Sequence, residues 1–387
     1  MDRSSIHYSL FREMSKFLHA NTASAVSRVV AAIIAVGVAR TWKVGQWLGK
    51  QSGIQFKSGL QAVSRVLGPV KLDAWRLGAW LLQRVSSAKV LVPFPIDWTE
   101  WSEERRVLVG AAVVGKRAIP IAVAAFHRSD IPRSQNAREN TFLRMVKQLA
   151  SDAGRRLVIL TDRGFRRVTW VQQLQRLGLD FAVRLMTDVL VHREGSARPA
   201  SLASYELKPG EMLDLGEVQL REDRAVRVRV VGIWGRGQKE PWWIATSLDL
   251  PVSRVAAFYD RRMAVEEQFR DTKGCRFGVE LFWTKSDRLE RIERMFLLVG
   301  VALMVWTAAG AEAAAQDPTA RFPHKTKGPR RSFATIGREV AAAMTRFIVT
   351  PDWLNRWLPQ AEFRDFRSGV HLVEPVVAGP PAAGSDK

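Results

Sequence analysis

Three carboxylates in this chain stand where phosphate chemistry would need them. Asp97 closes an apolar run, Pro95-Ile96-Asp97-Trp98-Thr99, and Asp162 closes another, Leu160-Thr161-Asp162-Arg163-Gly164. A carboxylate at the C-terminal end of a buried strand points at the crevice where α/β folds bind ligands. One such Asp is ordinary, because turns recruit Asp; two, each closing a strand, point to a shared site. Glu266 lies in a helical stretch whose Tyr259, Arg262, Glu266, Arg270 and Lys273 recur at i, i+3, i+7, i+11 and i+14, along one helix face. A single acid within a basic stripe suits a site that holds phosphates; a solvated face laced by ion pairs would use the same residue types. Asp and Glu are the hard oxygen ligands that Mg²⁺ or Mn²⁺ prefers. Two such ions about 3.5–4 Å apart activate an attacking oxygen and stabilise a leaving one. Neither a cysteine cluster nor a histidine pair at helical metal-ligand spacing competes with them.

The elements that must position these groups follow from the hydrophobic period. The apolar runs 90–96, 107–114 and 119–126 have strand length. A helix over 134–150, a strand over 157–160, a helix over 164–177 and a strand over 180–185 come next, an α/β layout with a mixed sheet. Residues 212–220, 225–234 and 242–247 read as strands of a small β-rich insertion. The helical period returns at Pro251 and lasts through Gly274. The domain division expected is 1–90, a helical DNA-binding region; 91–185, the first part of the α/β core; 186–250, the insertion; 251–316, the second part of the core with Glu266; 317–374, a basic linker and helix (about 334–348); and 375–387, a disordered tail rich in Pro, Gly and Ala.

Charge names the class of partner. The 387 residues carry 59 Lys and Arg against 38 Asp and Glu, a net charge of +21, which draws a protein to polyanions. Residues 1–90 hold 13 Lys or Arg against 3 Asp or Glu. There Thr41–Lys50, with Val44, Trp47 and Leu48 on one face, precedes the break at Ser52-Gly53. A second helix over 57–67 comes after it, with Leu60, Val63 and Leu67 on one side and Lys57, Gln61 and Arg65 on another. That pair resembles a helix-turn-helix, and an ordinary solvated helical hairpin fits it as well. The one cysteine, Cys275, excludes an intramolecular disulfide and suits a reducing cytoplasm; packing is its expected role. No secretory signal is read near Met1. The uncharged apolar stretch 295–311 is at the lower limit for a membrane span, and a buried core helix is expected there instead.

Tyr-x2-Arg-x3-Glu-x6-Lys, met here by Tyr259, Arg262, Glu266 and Lys273, is the signature of the insertion-sequence-four family of bacterial DDE transposases. With Asp97-Trp98-Thr99 and Thr161-Asp162-Arg163-Gly164-Phe165, the chain resembles that family over about residues 40–310. The resemblance implies an RNase H-like core interrupted by a β-rich insertion between the second Asp and the Glu. The spacings agree: 65 residues separate Asp97 from Asp162, and 104 separate Asp162 from Glu266. It also implies Asp97, Asp162 and Glu266 as metal ligands and catalytic residues, with Glu266 preferred over Glu267 by spacing. Tyr259, Arg262 and Lys273 would contact phosphates, joined by Arg270. Arg163 would reach DNA or pair with a carboxylate. Trp242 would stack a flipped base, as an aromatic platform can, or share a core role with Trp243. The partners implied are double-stranded DNA, as terminal inverted repeats and target, and a second copy of the chain. A bacterial, nucleoid-associated location is implied with them. A decayed or domesticated DNA-binding descendant and an RNase H-like nuclease remain the competing readings.

Overall fold

In the computed structural model the described residues are 6–68, 72–114, 117–220, 226–274, 278–284, 286–317, 332–343 and 371–373. Cys275, residues 318–331 of the expected linker, 344–348 of the expected last helix and the 375–387 tail lie outside them.

Helices α1 (Ile6–Met14), α2 (Ala20–Val36), α3 (Thr41–Ser52), α4 (Phe56–Val66) and α5 (Ala74–Val85) come first. Strands β1 (Leu91–Ser102), β2 (Arg105–Val114) and β3 (Arg117–His127) precede α6 (Gln135–Ala153). Then come β4 (Arg156–Thr161), α7 (Val168–Arg176) and β5 (Asp180–Leu185). The region expected as an insertion holds β6 (Leu190–Arg193), β7 (Ala200–Ser201), β8 (Glu211–Leu220), β9 (Val226–Trp234) and β10 (Trp242–Thr246). After it come α8 (Val252–Asp260), α9 (Ala264–Lys273), α10 (Leu289–Gln316), α11 (Phe333–Ala343) and β11 (His371–Val373). The protein is mixed α/β, as its periodicity predicts.

The chain divides into two compact units. The first comprises Met1–Val92, Ile96–Arg155 and Ala264–Ala361. Its sheet is an antiparallel meander, β1 pairing β2 and β2 pairing β3. Pro120 is accommodated where the β2–β3 register shifts, at Gly110/Ala111, the kind of irregularity at which a strand tolerates a residue without an N–H. Helix α10 is the core element of this unit. It is long and apolar enough to cross a membrane, yet 94% of its most apolar window is buried inside the protein, and it packs on α11, β3, α2 and α5. A helix hydrophobic all round needs burial on every side, and its neighbours supply it. Gly310 of α10 and Gly337 of α11 set the closest approach. A Cβ on Gly310 would lie 1.8 Å from the Phe333 carbonyl oxygen, and one on Gly337 1.8 Å from that of Trp306.

Helices α3 and α4 meet the same way. A Cβ on Gly59 would lie 2.1 Å from the Gly45 carbonyl oxygen. The connecting turn uses Gly53 at φ +62°, whose N–H caps α3 by bonding the carbonyls of Gly49 and Lys50. Val44, Leu48, Val63 and Leu67 are buried, Leu60 is half-buried, and Lys57, Gln61 and Arg65 are all exposed. Trp47 is half-buried rather than core.

The second unit comprises Pro93–Pro95, Arg156–Met263 and Glu362–Lys387. Its neighbour order runs from residues 93–95 of β1 through β4, β5, β10, β9, β8 and β6 to β7, with β11 pairing β8. Strands β4 and β5 are parallel; β10 joins β5 antiparallel, Trp243 opposite Leu185. The strands of residues 186–250 therefore extend the sheet of β4 and β5. Arg229 ties them together: it donates to both Asp214 carboxylate oxygens at 3.3 and 2.6 Å and to the carbonyls of Leu248 and Leu250 at 2.8 and 2.7 Å.

Three local expectations are corrected. Asp97 does not end its strand: β1 continues to Ser102, and Asp97 sits within the ladder opposite Val109. Trp98, Thr99 and Trp101 are strand formers that carry the pairing past the acid. The helix expected over 251–274 is broken by a 3₁₀ turn at Arg261–Met263. A 3₁₀ turn winds three residues per turn, so the α-helical period assumed for residues 251–274 does not run through it. In the same way, the helix expected from Gly164 is a 3₁₀ turn, Arg163–Phe165, and then α7.

Candidate functional site

In the second unit Asp162 directly succeeds β4 and caps the 3₁₀ turn after it. Its Oδ1 accepts the Gly164 N–H at 2.8 Å. A Cβ on Gly164 would stand 2.9 Å from that oxygen, so a larger residue there would push the carboxylate from its turn. The carboxylate is half-buried, with a rotamer set by the turn it caps.

Around it the fold gathers cations and aromatic rings from α8, β5, β10 and the 3₁₀ turn after α8. Tyr259, from the last turn of α8, is 3% exposed. Its phenol is pushed up to about 12, first by burial; the guanidinium groups of Arg262 and Arg184 act the other way, and the Asp162 charge reinforces the rise. The enclosed hydroxyl has no hydrogen-bond partner of good geometry among the described residues. Trp242, at the start of β10, meets the Tyr259 ring edge-on with centroids 5.2 Å apart. The Arg184 guanidinium lies 6.0 Å from the Trp242 ring centre. Arg163 and Arg184 both donate to Glu240, at 3.2 and 2.8 Å. Arg262 is buried and touches the Met263 sulfur.

The two tryptophans separate as strand alternation requires. Trp243 is 1% exposed, beside Tyr205 and directly over Gly232, where a Cβ would lie 2.5 Å from its ring. Trp243 is core; Trp242 faces Tyr259 and Arg184.

In the first unit Asp97 accepts the Trp98 N–H at 2.8 Å. Trp98 is held in turn: its indole N–H donates to Glu139 at 2.8 Å, and the Arg106 guanidinium lies 5.2 Å from its ring. Glu139 is 1% exposed and also accepts from Gln135 at 2.8 Å. Glu266 stands in the first turn of α9, where the helix dipole favours a carboxylate. Lys273, at the end of α9, donates to the Glu100 carbonyl oxygen. Burial lowers its ammonium pKa, and the Glu100 carboxylate opposes that fall. Arg270 pairs with Glu267, which also faces Arg117 at 3.4 Å; Arg117 reaches Asp271 at 2.8 Å. Burial raises the Asp271 carboxyl pKa, and Arg117 restrains it.

The second unit thus brings together Asp162, Tyr259, Arg262, Arg163 and Trp242, while Asp97, Glu266, Arg270 and Lys273 belong to the first. Within either unit, no group of three His, Cys, Asp or Glu side chains among the described residues could hold a metal ion. Lys57, Gln61 and Arg65 lie on α4, in the first unit.

Residues 113–305, about half of the chain, match the family model described as transposase DDE domain. The chain carries a transposase DDE domain. Its fold is RNase H-like, as the resemblance implied. The match includes Asp162, Trp242, Tyr259, Arg262, Glu266 and Lys273; Asp97 precedes it. No curated protein matches the chain.

Arg184, Glu240 and Glu139 were missed in the sequence. Glu139 left a signal: with Phe142, Val146, Leu149 and Ala153 it holds the buried register of α6, and an acid at a core position calls for a partner. Arg184, alone in the apolar strand Phe181-Ala182-Val183-Arg184-Leu185, left a fainter one. Glu240 left none.

Proposed function

We propose that this DDE transposase belongs to an insertion sequence of the insertion-sequence-four type, and that Tyr259, Arg262, Glu266 and Lys273 are its signature residues. It binds double-stranded DNA at the terminal inverted repeats, cuts there, and transfers the freed end to target DNA. The observation that carries this reading is the set of groups around Asp162: two guanidinium groups, a buried phenol and a half-buried indole beside one carboxylate.

The parts suit a phosphodiester. Arg262 and Arg184 offer planar donors to non-bridging oxygens. Tyr259 stays protonated at working pH and offers a neutral donor. Trp242 presents one flank to an extruded base. Water attacks phosphorus, the 3′ oxygen leaves with a proton, and a 3′-hydroxyl and 5′-phosphate result. That hydroxyl is the nucleophile for strand transfer, with a 3′ oxygen again the leaving group.

Asp97, Asp162 and Glu266 are the proposed ligands of Mg²⁺ or Mn²⁺, and their chemistry fits: each is a half-buried carboxylate, the hard donor type these ions prefer. A divalent ion there supplies charge stabilisation and a more acidic water. Lys57, Gln61 and Arg65 form an exposed face for the repeats, and a second copy of the chain bridges the two ends. The setting is the bacterial cytoplasm, at the nucleoid.

A labelled duplex carrying the DNA that flanks the gene tests this. Nicking at the repeat boundary is expected with Mg²⁺, not with EDTA, and is lost in Asp97→Ala, Asp162→Ala and Glu266→Gln while binding persists. Cleavage that survives any of the three substitutions overturns the ligand set; binding without any cutting overturns the enzymatic reading.

A further inference from the structure

Arg184 has a mostly buried side chain, 17% exposed. Among the described residues it pairs with the Glu240 carboxylate. Glu240 Oε1 accepts from Arg184 Nη2 at 2.8 Å and from Arg163 Nη1 at 3.2 Å, so two guanidinium groups from different elements converge on a single oxygen. Arg163 is the neighbour of Asp162, and Arg184 lies over Trp242. Glu240 itself stands in the turn between β9 and β10, 47% exposed, beyond a Gly237 at φ +86°.

Two arginines converging on one anionic oxygen is the arrangement by which proteins hold phosphate. We propose that Glu240 is a built-in competitor for DNA: in the free protein its carboxylate fills a phosphate-binding fork made by Arg163 and Arg184, and a backbone phosphodiester replaces it on binding. The exchange conserves charge, one monoanion for another, so Arg184 is never left buried without a counter-ion. The turn lets Glu240 move into solvent when displaced. The fork therefore rejects weak, passing contacts and yields to a phosphate that other contacts also hold. This inference rests on the DNA reading above and adds a site to it.

Binding of a fluorescein-labelled random-sequence duplex by the full chain, read by anisotropy at fixed salt, tests it. Glu240→Gln is expected to bind about three- to tenfold tighter, the gain from freeing two partly exposed ion pairs. Glu194→Gln removes the same charge from another exposed pair, with Arg227 at 3.1 Å, and is expected to leave affinity unchanged. In an Arg163→Gln, Arg184→Gln background the Glu240→Gln gain is expected to vanish. Wild-type affinity in Glu240→Gln, or a gain that survives loss of both arginines, overturns the proposal. If the wild type cuts repeat DNA while Glu240→Gln binds no tighter, only the fork fails. If the wild type binds no duplex, the DNA reading fails with it.

Discussion

Replacing Tyr259 by Phe is expected to make the protein more stable and the enzyme worse. The hydroxyl is enclosed, and the Arg262 guanidinium beside it does not meet it with hydrogen-bond geometry. An unsatisfied buried polar group costs about 1–3 kcal/mol, and an apolar replacement of the same shape relieves it. Phe deletes a single oxygen and leaves only a small void, so a net gain of about 1 kcal/mol is expected at pH 7. A second effect appears at high pH. The phenol is raised from its usual 10 to about 12, so above pH 10 the unfolded chain loses its proton while the folded chain keeps it. Stability owed to the neutral phenol is complete below pH 10 and disappears as pH climbs to about 12. The shift corresponds to roughly 3 kcal/mol at about 1.4 kcal/mol for each pH unit. Phe cannot titrate, so its advantage over the wild type should widen from about 1 to about 3–4 kcal/mol across that window.

Urea unfolding monitored by far-ultraviolet circular dichroism, at steps from pH 7 to 11.5, measures both effects. Other alkaline titrations occur in both proteins and cancel in the difference. If Tyr259→Phe is the less stable protein at pH 7, the hydroxyl has a partner in the folded chain and the argument fails. A gap that stays constant above pH 10 would show that burial is not what holds the proton. Cleavage of repeat DNA should meanwhile fall about five- to tenfold, near the value of one neutral hydrogen bond. Unchanged cleavage would remove Tyr259 from the phosphate site.

Trp242→Ala should slow a step that needs an extruded base more than the first nick, and Trp242→Phe should restore most of the difference; equal loss at both steps, read on sequencing gels, would mean packing alone. DNA affinity should fall steeply with salt, with a log–log slope of about −5 or steeper, as the net charge of +21 implies; a flat response would refute the electrostatic reading. Gly337→Ala should destabilise the first unit by about 3 kcal/mol or more in a urea titration, because its Cβ would stand 1.8 Å from the Trp306 carbonyl oxygen; a loss under about 1 kcal/mol would mean that α11 moves aside freely.

How far the sequence carried depended on what kind of interaction fixed each feature. Strands β2, β3, β4 and β5 and helix α6 were legible because apolar period dictates them and burial obeys it. Asp162 was legible for a local reason: Asp before Gly after an apolar strand makes its own turn. The end of β1 was not, since Trp98 and Trp101 extend the strand through contacts with Glu139 and the Ser286 carbonyl, far along the chain. Trp242 and Trp243 were indistinguishable by composition and differ only by which face of β10 is covered.

The break at Arg261–Met263 carries the most consequence. Read as one helix, the signature residues form a single stripe; folded, the 3₁₀ turn divides them. Tyr259 ends α8 and Arg262 lies in the turn itself, in the same unit as Asp162 and Trp242, while Glu266 stands in the first turn of α9. That restart has a use. A carboxylate deep inside a continuous helix gains little from the backbone, whereas one in the first turn is stabilised by the unpaired N–H groups and the dipole, by about 0.3–1 kcal/mol. The restart therefore places Glu266 at a helix N-terminus, a setting that suits a carboxylate. Such a break leaves no mark in the hydrophobic period, because Arg262, Val265 and Gln268 are buried on both sides of it. The signature spacing thus encodes two short helices and a turn.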